Sequence, residues 1–452
     1  MPPRALLPSA LALLALLAAL PGVARAGDAV TAATVANHHA WGWPALVLGN
    51  GLVTLAVVPA AGGRVLQYDL GHHPFLWVNP AEQGKTYAPA EDDPFHDFGG
   101  FKTWVAPQYA WRRGLGAGPP APHLDCGQWS AVISAQDTAS AVIESESPIE
   151  TFSAWYASGL QMARRYTLVR GSTKVHVEAT LRNTGKTSTV VSLWDDTQLV
   201  GAHEGATDYD RFWVYYPLNR ASAFGARGYL AFPGLAAGYG DGQWRSASDD
   251  GLGAVQYLHR SGRIGADSDG GWICYVDERE GYCMAKRFAY QPGKHYPDGG
   301  TSIAVATSDR QPTISMQVLS PLVDLAVGTA FTFSEDWYAT RIDGPVQAVN
   351  DAGVVKRRLG VSAGAGAKSL HVDGTYGVFC EGTAALSAVD AGGGRIALTS
   401  FYVSPIQPLV IDAEFPVPAA GAVRLVLEVL DGDGTVVGQL DSAALPPPAA
   451  SP

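Results

Sequence analysis

The sequence predicts an all-β protein: a large antiparallel sandwich followed by a smaller, β-sandwich-like unit. Two observations carry that prediction. Apolar residues recur with a period of two in many short runs, and glycine, at 52 of 452 residues, punctuates those runs without any long amphipathic helix between them. Charged residues are 16% of the chain, against about 25% in ordinary globular domains, which suits extended strands and frequent turns.

Arg4, the apolar run Ala10 to Leu20 and the small residues Ala24 to Ala26 read as a cleavable export leader over 1–26. The expected location is therefore periplasmic or secreted. Losing Arg4 and Arg25 makes the formal charge of −11 more negative still, which disfavours nucleic acid as a partner. No later run approaches the roughly 20 apolar residues of a spanning helix, and no cysteine follows the leader for lipid attachment. No membrane insertion is expected once the leader is removed.

Leu46 to Asn79 holds four apolar runs separated by GNG, GG and GHHP, the punctuation of a β-meander. In KVHVEATLRN, Val175, Val177, Ala179 and Leu181 fall on one face and Lys174, His176, Glu178, Thr180 and Arg182 on the other, as in a half-buried strand. Similar runs occur at Leu160 to Val169, Thr187 to Trp194, Trp272 to Val276, Thr301 to Thr307 and Thr313 to Leu319. Pro80 to Pro107 and Ala202 to Asp250 lack a steady period and read as long functional loops. All 12 tryptophans precede residue 338, so the main sandwich is expected over 36–345, a small β-domain over 355–444, and a disordered Pro/Ala tail over 445–452.

The most distinctive segment is GGFKTWVAPQYAW. Gly99 and Gly100 would let backbone approach a ligand, Lys102 offers three donors, and Trp104 offers a flat face for the apolar side of a sugar ring, with Gln108 beside them. The plainer alternative is a turn with Lys102 solvated and Trp104 in the core. Arg64, after Gly62 and Gly63, could point from a sheet end into a cleft, or could be a solvated strand-start arginine. Arg164 and Arg165 lie on opposite faces of their strand, so at most one points inward.

Two acidic pairs stand at strand ends. Asp195 and Asp196 follow Trp194, and Glu335 and Asp336 precede Trp337; a carboxylate packed on indole is suited to general-base work, although acids at a strand end are also common caps. His38, His39, His72 and His73 are turn-like doublets, and His123, His203 and His295 fall in loops. None has metal-ligand spacing, and DSDG and DGDG read as hairpin turns, so neither metal nor cofactor is predicted. The absence of a GxSxG elbow and of a phosphate-binding glycine loop argues against serine hydrolases and nucleotide enzymes. A turn at Asp277 to Glu280 would set Cys274 across from Cys283, where they form a disulfide or a pair of small buried thiols.

Taken in order, LGNGLVTLAVVPAAGGRVLQY, GGFKTWVAPQ, SLWDDTQL, HYPDGG and FTFSEDWYATR resemble an uncharacterised exported bacterial family, domain-of-unknown-function family 4380, of the galactose-mutarotase-like superfamily. The resemblance covers roughly 37–341. It implies a β-supersandwich with a carbohydrate-sized cleft on one sheet, a fold shared by aldose 1-epimerases, glycoside hydrolase domains and polysaccharide lyase domains. Glu335 is similar in position to the late glutamate base of the epimerases. Their acid is a histidine on a central strand, where this chain has Trp194, Asp195 and Asp196; His203 or an aspartate would have to replace it. The expected function is carbohydrate binding or acid–base chemistry at an anomeric centre, with Glu335, Asp195 and His203 catalytic and Arg64, Lys102, Trp104, Gln108, Arg165 and Trp337 binding substrate. A non-catalytic glycan module and a ligand-free β-protein are the alternatives. Convergence of Lys102, Trp104, Asp195 and Glu335 on one cleft is the discriminating expectation.

Overall fold

A computed structural model describes residues 29–112, 118–232, 242–247, 251–364, 369–418 and 421–446; the expected export leader and most of the expected Pro/Ala tail lie outside them. The chain is all-β, as its periodicity predicts. Two antiparallel sheets, of 12 and 10 strands, carry the main sandwich. In the longer sheet the strands Arg64–Leu70, Phe101–Ala106, Thr189–Val200, Thr313–Leu319, Ile303–Thr307 and Gly262–Ala266 lie side by side in that order. In the other, Trp272–Asp277, Tyr282–Phe288, Ala330–Thr340, Val175–Asn183 and Leu160–Val169 are neighbours.

The period of two produces the core directly. Val175, Val177, Ala179 and Leu181 point inward and meet Phe101, Leu193, Met316 and Val318 from the longer sheet in one buried cluster. Each such fully buried aliphatic side chain stabilises the fold by about 1.5–3 kcal/mol. Two further four-stranded sheets, running from Ala348 to Ala444, enclose a second cluster around Val372, Tyr376, Leu386 and Leu427. The smaller sandwich packs against the larger one. Tyr338 stacks on Phe379 at 4.3 Å, the Thr173 amide donates to the Phe379 carbonyl at 2.8 Å, and Trp272, Ile342, Val346 and Phe379 share one apolar cluster.

Several local readings change: Phe101–Ala106, inside the Pro80 to Pro107 stretch read as a loop, is a strand, and the Asp195 and Glu335 pairs lie within Thr189–Val200 and Ala330–Thr340 rather than at strand ends. Phe212–Pro217, inside the other stretch read as a loop, is an interior strand of the ten-stranded sheet; its FWVYYP sequence is aromatic on both faces and so shows no alternation. DSDG at 267–270 is not a hairpin, because it joins Gly262–Ala266 of one sheet to Trp272–Asp277 of the other. The hairpin of Trp272–Asp277 with Tyr282–Phe288 pairs Cys274 with Ala285 and Val276 with Cys283. The cysteines are thus diagonal rather than opposed; their sulfurs are 3.6 Å apart, and both are free thiols. Among the described residues no helix is long and apolar enough to cross a membrane.

Candidate functional site

Alternation along Thr189–Val200 sends Trp194, Asp196 and Gln198 to the outer face of the 12-stranded sheet and Leu193, Asp195 and Thr197 toward the other sheet. The neighbouring Phe101–Ala106 strand sets Lys102 opposite Asp196 and Trp104 opposite Trp194. Lys102 Nζ therefore lies 2.7 Å from Asp196 Oδ2 and donates to Gln198 Oε1 at 2.7 Å, with the Trp104 ring 4.9 Å away. Gln317, on the next strand, donates to Asp196 Oδ1 at 3.1 Å and accepts from Trp194 Nε1 at 3.3 Å. Gln198 in turn donates to Asp97 at 3.2 Å.

The row extends both ways. Arg64, at the head of its strand, pairs with Asp125 at 2.9 Å, and Asp125 also accepts from Trp104 Nε1 at 2.7 Å. On the other side Arg263 donates to Gln108 at 2.8 Å, reaches Asp298 at 3.7 Å and lies over the Trp194 ring at 4.3 Å. Burial raises the Asp298 carboxyl above its ordinary value, with Arg263 pulling it back. Trp104 is only partly buried and Phe95, at 41% exposure, sits edge-on 5.9 Å from it, so an aromatic rim borders the polar row. Arg64, Lys102, Trp104 and Gln108 are thus brought together, with Asp196 where Asp195 was expected.

Asp195, Glu335 and Trp337 are not part of this face. They point between the sheets, where Lys286 pairs with both acids, at 3.2 Å to Glu335, and Trp337 Nε1 donates to Glu335 at 2.6 Å. Burial and the nearby Glu335 charge push Asp195 well above the usual carboxylate range, while Lys286 opposes them. The same small interior pocket is lined by Phe101, Thr103, Val177, Ala179 and Phe333, so the expected convergence of Lys102 and Trp104 with Asp195 and Glu335 does not occur. The separation follows from the pleat: residues one apart take opposite faces.

Arg165 is also elsewhere. It is exposed on the ten-stranded sheet beside Glu144 and Glu178, each at 3.4 Å, whereas Arg164 is the inward residue, donating to the Gly63 carbonyl at 2.9 Å over the Trp129 ring. His203 lies beyond the end of Thr189–Val200, with its Nε2 2.8 Å from Asp277. Gly99 and Gly100 lie close against neighbouring backbone. Both have positive φ, and a Cβ on either would stand 2.2 Å from a backbone oxygen, of Trp77 and Val65 respectively. Asp97, Asp125, Gln198, Arg263 and Gln317 were missed. For Gln198 a signal existed, since it stands two and four residues from Asp196 and Trp194 on one strand face; the other four arrive from separate segments.

The fold and this row define an all-β sandwich protein with a polar, aromatic-bordered face on its longer sheet. Residues 44–205, which carry Arg64, Lys102, Trp104, Asp196 and Gln198, match the family model described as a domain of unknown function, DUF4380. The structure is similar to that of the Slr1438 protein from Synechocystis sp. PCC 6803, at 12% identity over 71% of this chain and 100% of that one, with a TM-score of 0.44. It is similar also to a galactose mutarotase related enzyme from Lactobacillus acidophilus, at 9% identity over 66% and 98% of the two chains, TM-score 0.44. A galactose mutarotase-like protein from Clostridium acetobutylicum gives 11% identity, 70% and 99% coverage and a TM-score of 0.43. None of the curated proteins compared with the chain matches it.

Proposed function

We propose that this is an exported protein that takes a carbohydrate on the outer face of its 12-stranded sheet. The observation that carries the reading is the continuous row Arg64, Asp125, Trp104, Lys102, Asp196, Gln198 and Gln317, in which cations, acids and amides alternate beside an accessible indole. A sugar ring presents C–H faces to lie on Trp104 and hydroxyls that need such fixed donors and acceptors. The ordered motifs that resemble mutarotase-like proteins support the same ligand class. If the sugar is turned over, acid–base chemistry at its anomeric centre falls to Asp196, Asp97 and Lys102, since Glu335 and Asp195 face the sandwich interior.

A non-catalytic glycan module is the second reading. It is favoured by the ion pairing of the acids here: Asp125 by Arg64, Asp196 by Lys102 and Asp298 by Arg263. A glycan panel scored for both binding and turnover tests the two. Trp104→Ala is expected to weaken binding by tenfold or more, about 1.4 kcal/mol. In an enzyme Asp196→Asn abolishes turnover while binding persists; in a module no glycan is turned over by either protein. Absence of binding across the panel, or affinity unchanged in Trp104→Ala and Lys102→Met, would overturn the carbohydrate reading.

A further inference from the structure

A second cluster of chemistry-bearing groups lies away from that face, at the end of the sandwich where Thr189–Val200 runs out. We propose that His73, His203, Asp277 and Glu280 form a binding site for one divalent transition-metal ion of the zinc class, which fastens the two large sheets together.

The four residues come from three places. His73 sits in the two-residue strand that pairs with the end of Arg64–Leu70 on the 12-stranded sheet, and His203 lies in the loop that follows Thr189–Val200 of that sheet. Asp277 and Glu280 belong to the hairpin of the ten-stranded sheet. One donor atom each from His73, Asp277 and Glu280 lie within 4.8 Å of one another. His203 closes the group, with Nε2 2.8 Å from Asp277 Oδ2 and Nδ1 3.6 Å from Glu280 Oε1. His73 completes it at 3.8 Å from Asp277 Oδ2 and 2.9 Å from Glu280 Oε2.

Hydrogen bonding leaves this cluster incomplete. Asp277 is fully buried; its Oδ1 accepts the amides of Arg279 at 2.9 Å and Glu280 at 3.2 Å, which aims Oδ2 at the imidazoles. Yet Asp277 Oδ2, His73 Nε2 and His203 Nε2 are all buried atoms that make no hydrogen bond, although Asp277 and His203 are close enough for one. Three lone-pair-bearing atoms gathered in that way suit a cation between them. Zinc bonds of about 2.0–2.2 Å in a tetrahedron put ligand atoms about 3.3–3.6 Å apart, and the two contacts that share Asp277 Oδ2, 2.8 Å from His203 Nε2 and 3.8 Å from His73 Nε2, lie on either side of that edge. Two imidazoles select against calcium and magnesium, which prefer all-oxygen shells.

His73 is held flat on Tyr282 at 4.0 Å, so its ring is oriented independently of the ion. Glu280, at 46% exposure, provides the entry side. Donor atoms of His73, Asp277 and Glu280 lie within 4.8 Å of one another and His203 stands beside Asp277, so four side chains are within reach of one ion, which assigns it a structural role.

The test uses the mature chain after dialysis against EDTA, with zinc chloride as the probe and both calorimetric titration and thermal unfolding as readouts. One equivalent is expected to bind and to raise the unfolding temperature, because the ion binds the folded chain alone. Asp277→Asn keeps the amide caps and His203→Gln lies in a partly exposed loop, so both are expected to fold. Losing a ligand costs at least what losing an outer partner does, so each should weaken zinc by about 10–100-fold or more. His176→Gln, on another strand face beside Asp336, should leave binding unchanged. Substoichiometric zinc at large excess in the parent, or parent-like affinity in Asp277→Asn, overturns the proposal.

Discussion

Asp69 shows what a single, largely buried carboxyl does to this fold. Burial pushes it up to about 6, against the pull of its hydrogen bond from Gln67 and of His39 and His72. A carboxyl whose folded pKa is raised holds its proton better in the folded chain than in the unfolded one. The stability it carries is whole below about pH 4 and lost as pH rises through about 6. Asparagine imitates the protonated form at every pH. Asp69→Asn is therefore expected to match the parent near pH 4 and to exceed it by about 2 kcal/mol near pH 8, measured by urea denaturation at both. An equal effect at the two pH values would show that burial of charge is not the cause.

At the scale of the element, the Gly99 and Gly100 turn sets the start of the strand that bears Lys102 and Trp104. Gly100 has φ +64, and a side chain there would meet the Val65 carbonyl at 2.2 Å. Gly100→Ala must strain this backbone or move the strand, and is expected to cost about 1–3 kcal/mol or more in thermal unfolding. A neutral outcome would mean the turn is free to shift. The strands themselves were legible where one face is buried, as in Val175–Asn183, because the pleat writes a period of two into the sequence. Phe212–Pro217 was illegible because both its faces are aromatic. The site was legible in part for the same reason: motif and glycine punctuation pointed to Lys102 and Trp104, but the face of the Asp195 and Asp196 doublet depends on pairing with Lys102 across strands. The His73 cluster leaves no local trace, since His73 and Glu280 are 207 residues apart.

For the molecule as a whole, the two sandwiches share apolar contacts instead of hanging on a bare linker. Phe379 from the smaller one is buried against Tyr338 of the larger, and its carbonyl accepts the amide of Thr173. Phe379→Ala should cost about 3–5 kcal/mol and lower the unfolding of both sandwiches together in scanning calorimetry. Two separate peaks, with only one displaced, would mean they melt independently. The doublet in the central strand has a consequence at this scale too. Asp195 answers Lys286 within the sandwich, beside Glu335, and Asp196 answers Lys102 on the outer face, so two adjacent acids serve lysines on opposite sides of one sheet. If the strand slid by one residue, every side chain would change faces and only one of the two aspartates could still meet a lysine. The pair thus acts as a lock with two keys: hydrophobic residues alone could tolerate an approximate fit, but only one alignment of this central strand turns both keys at once.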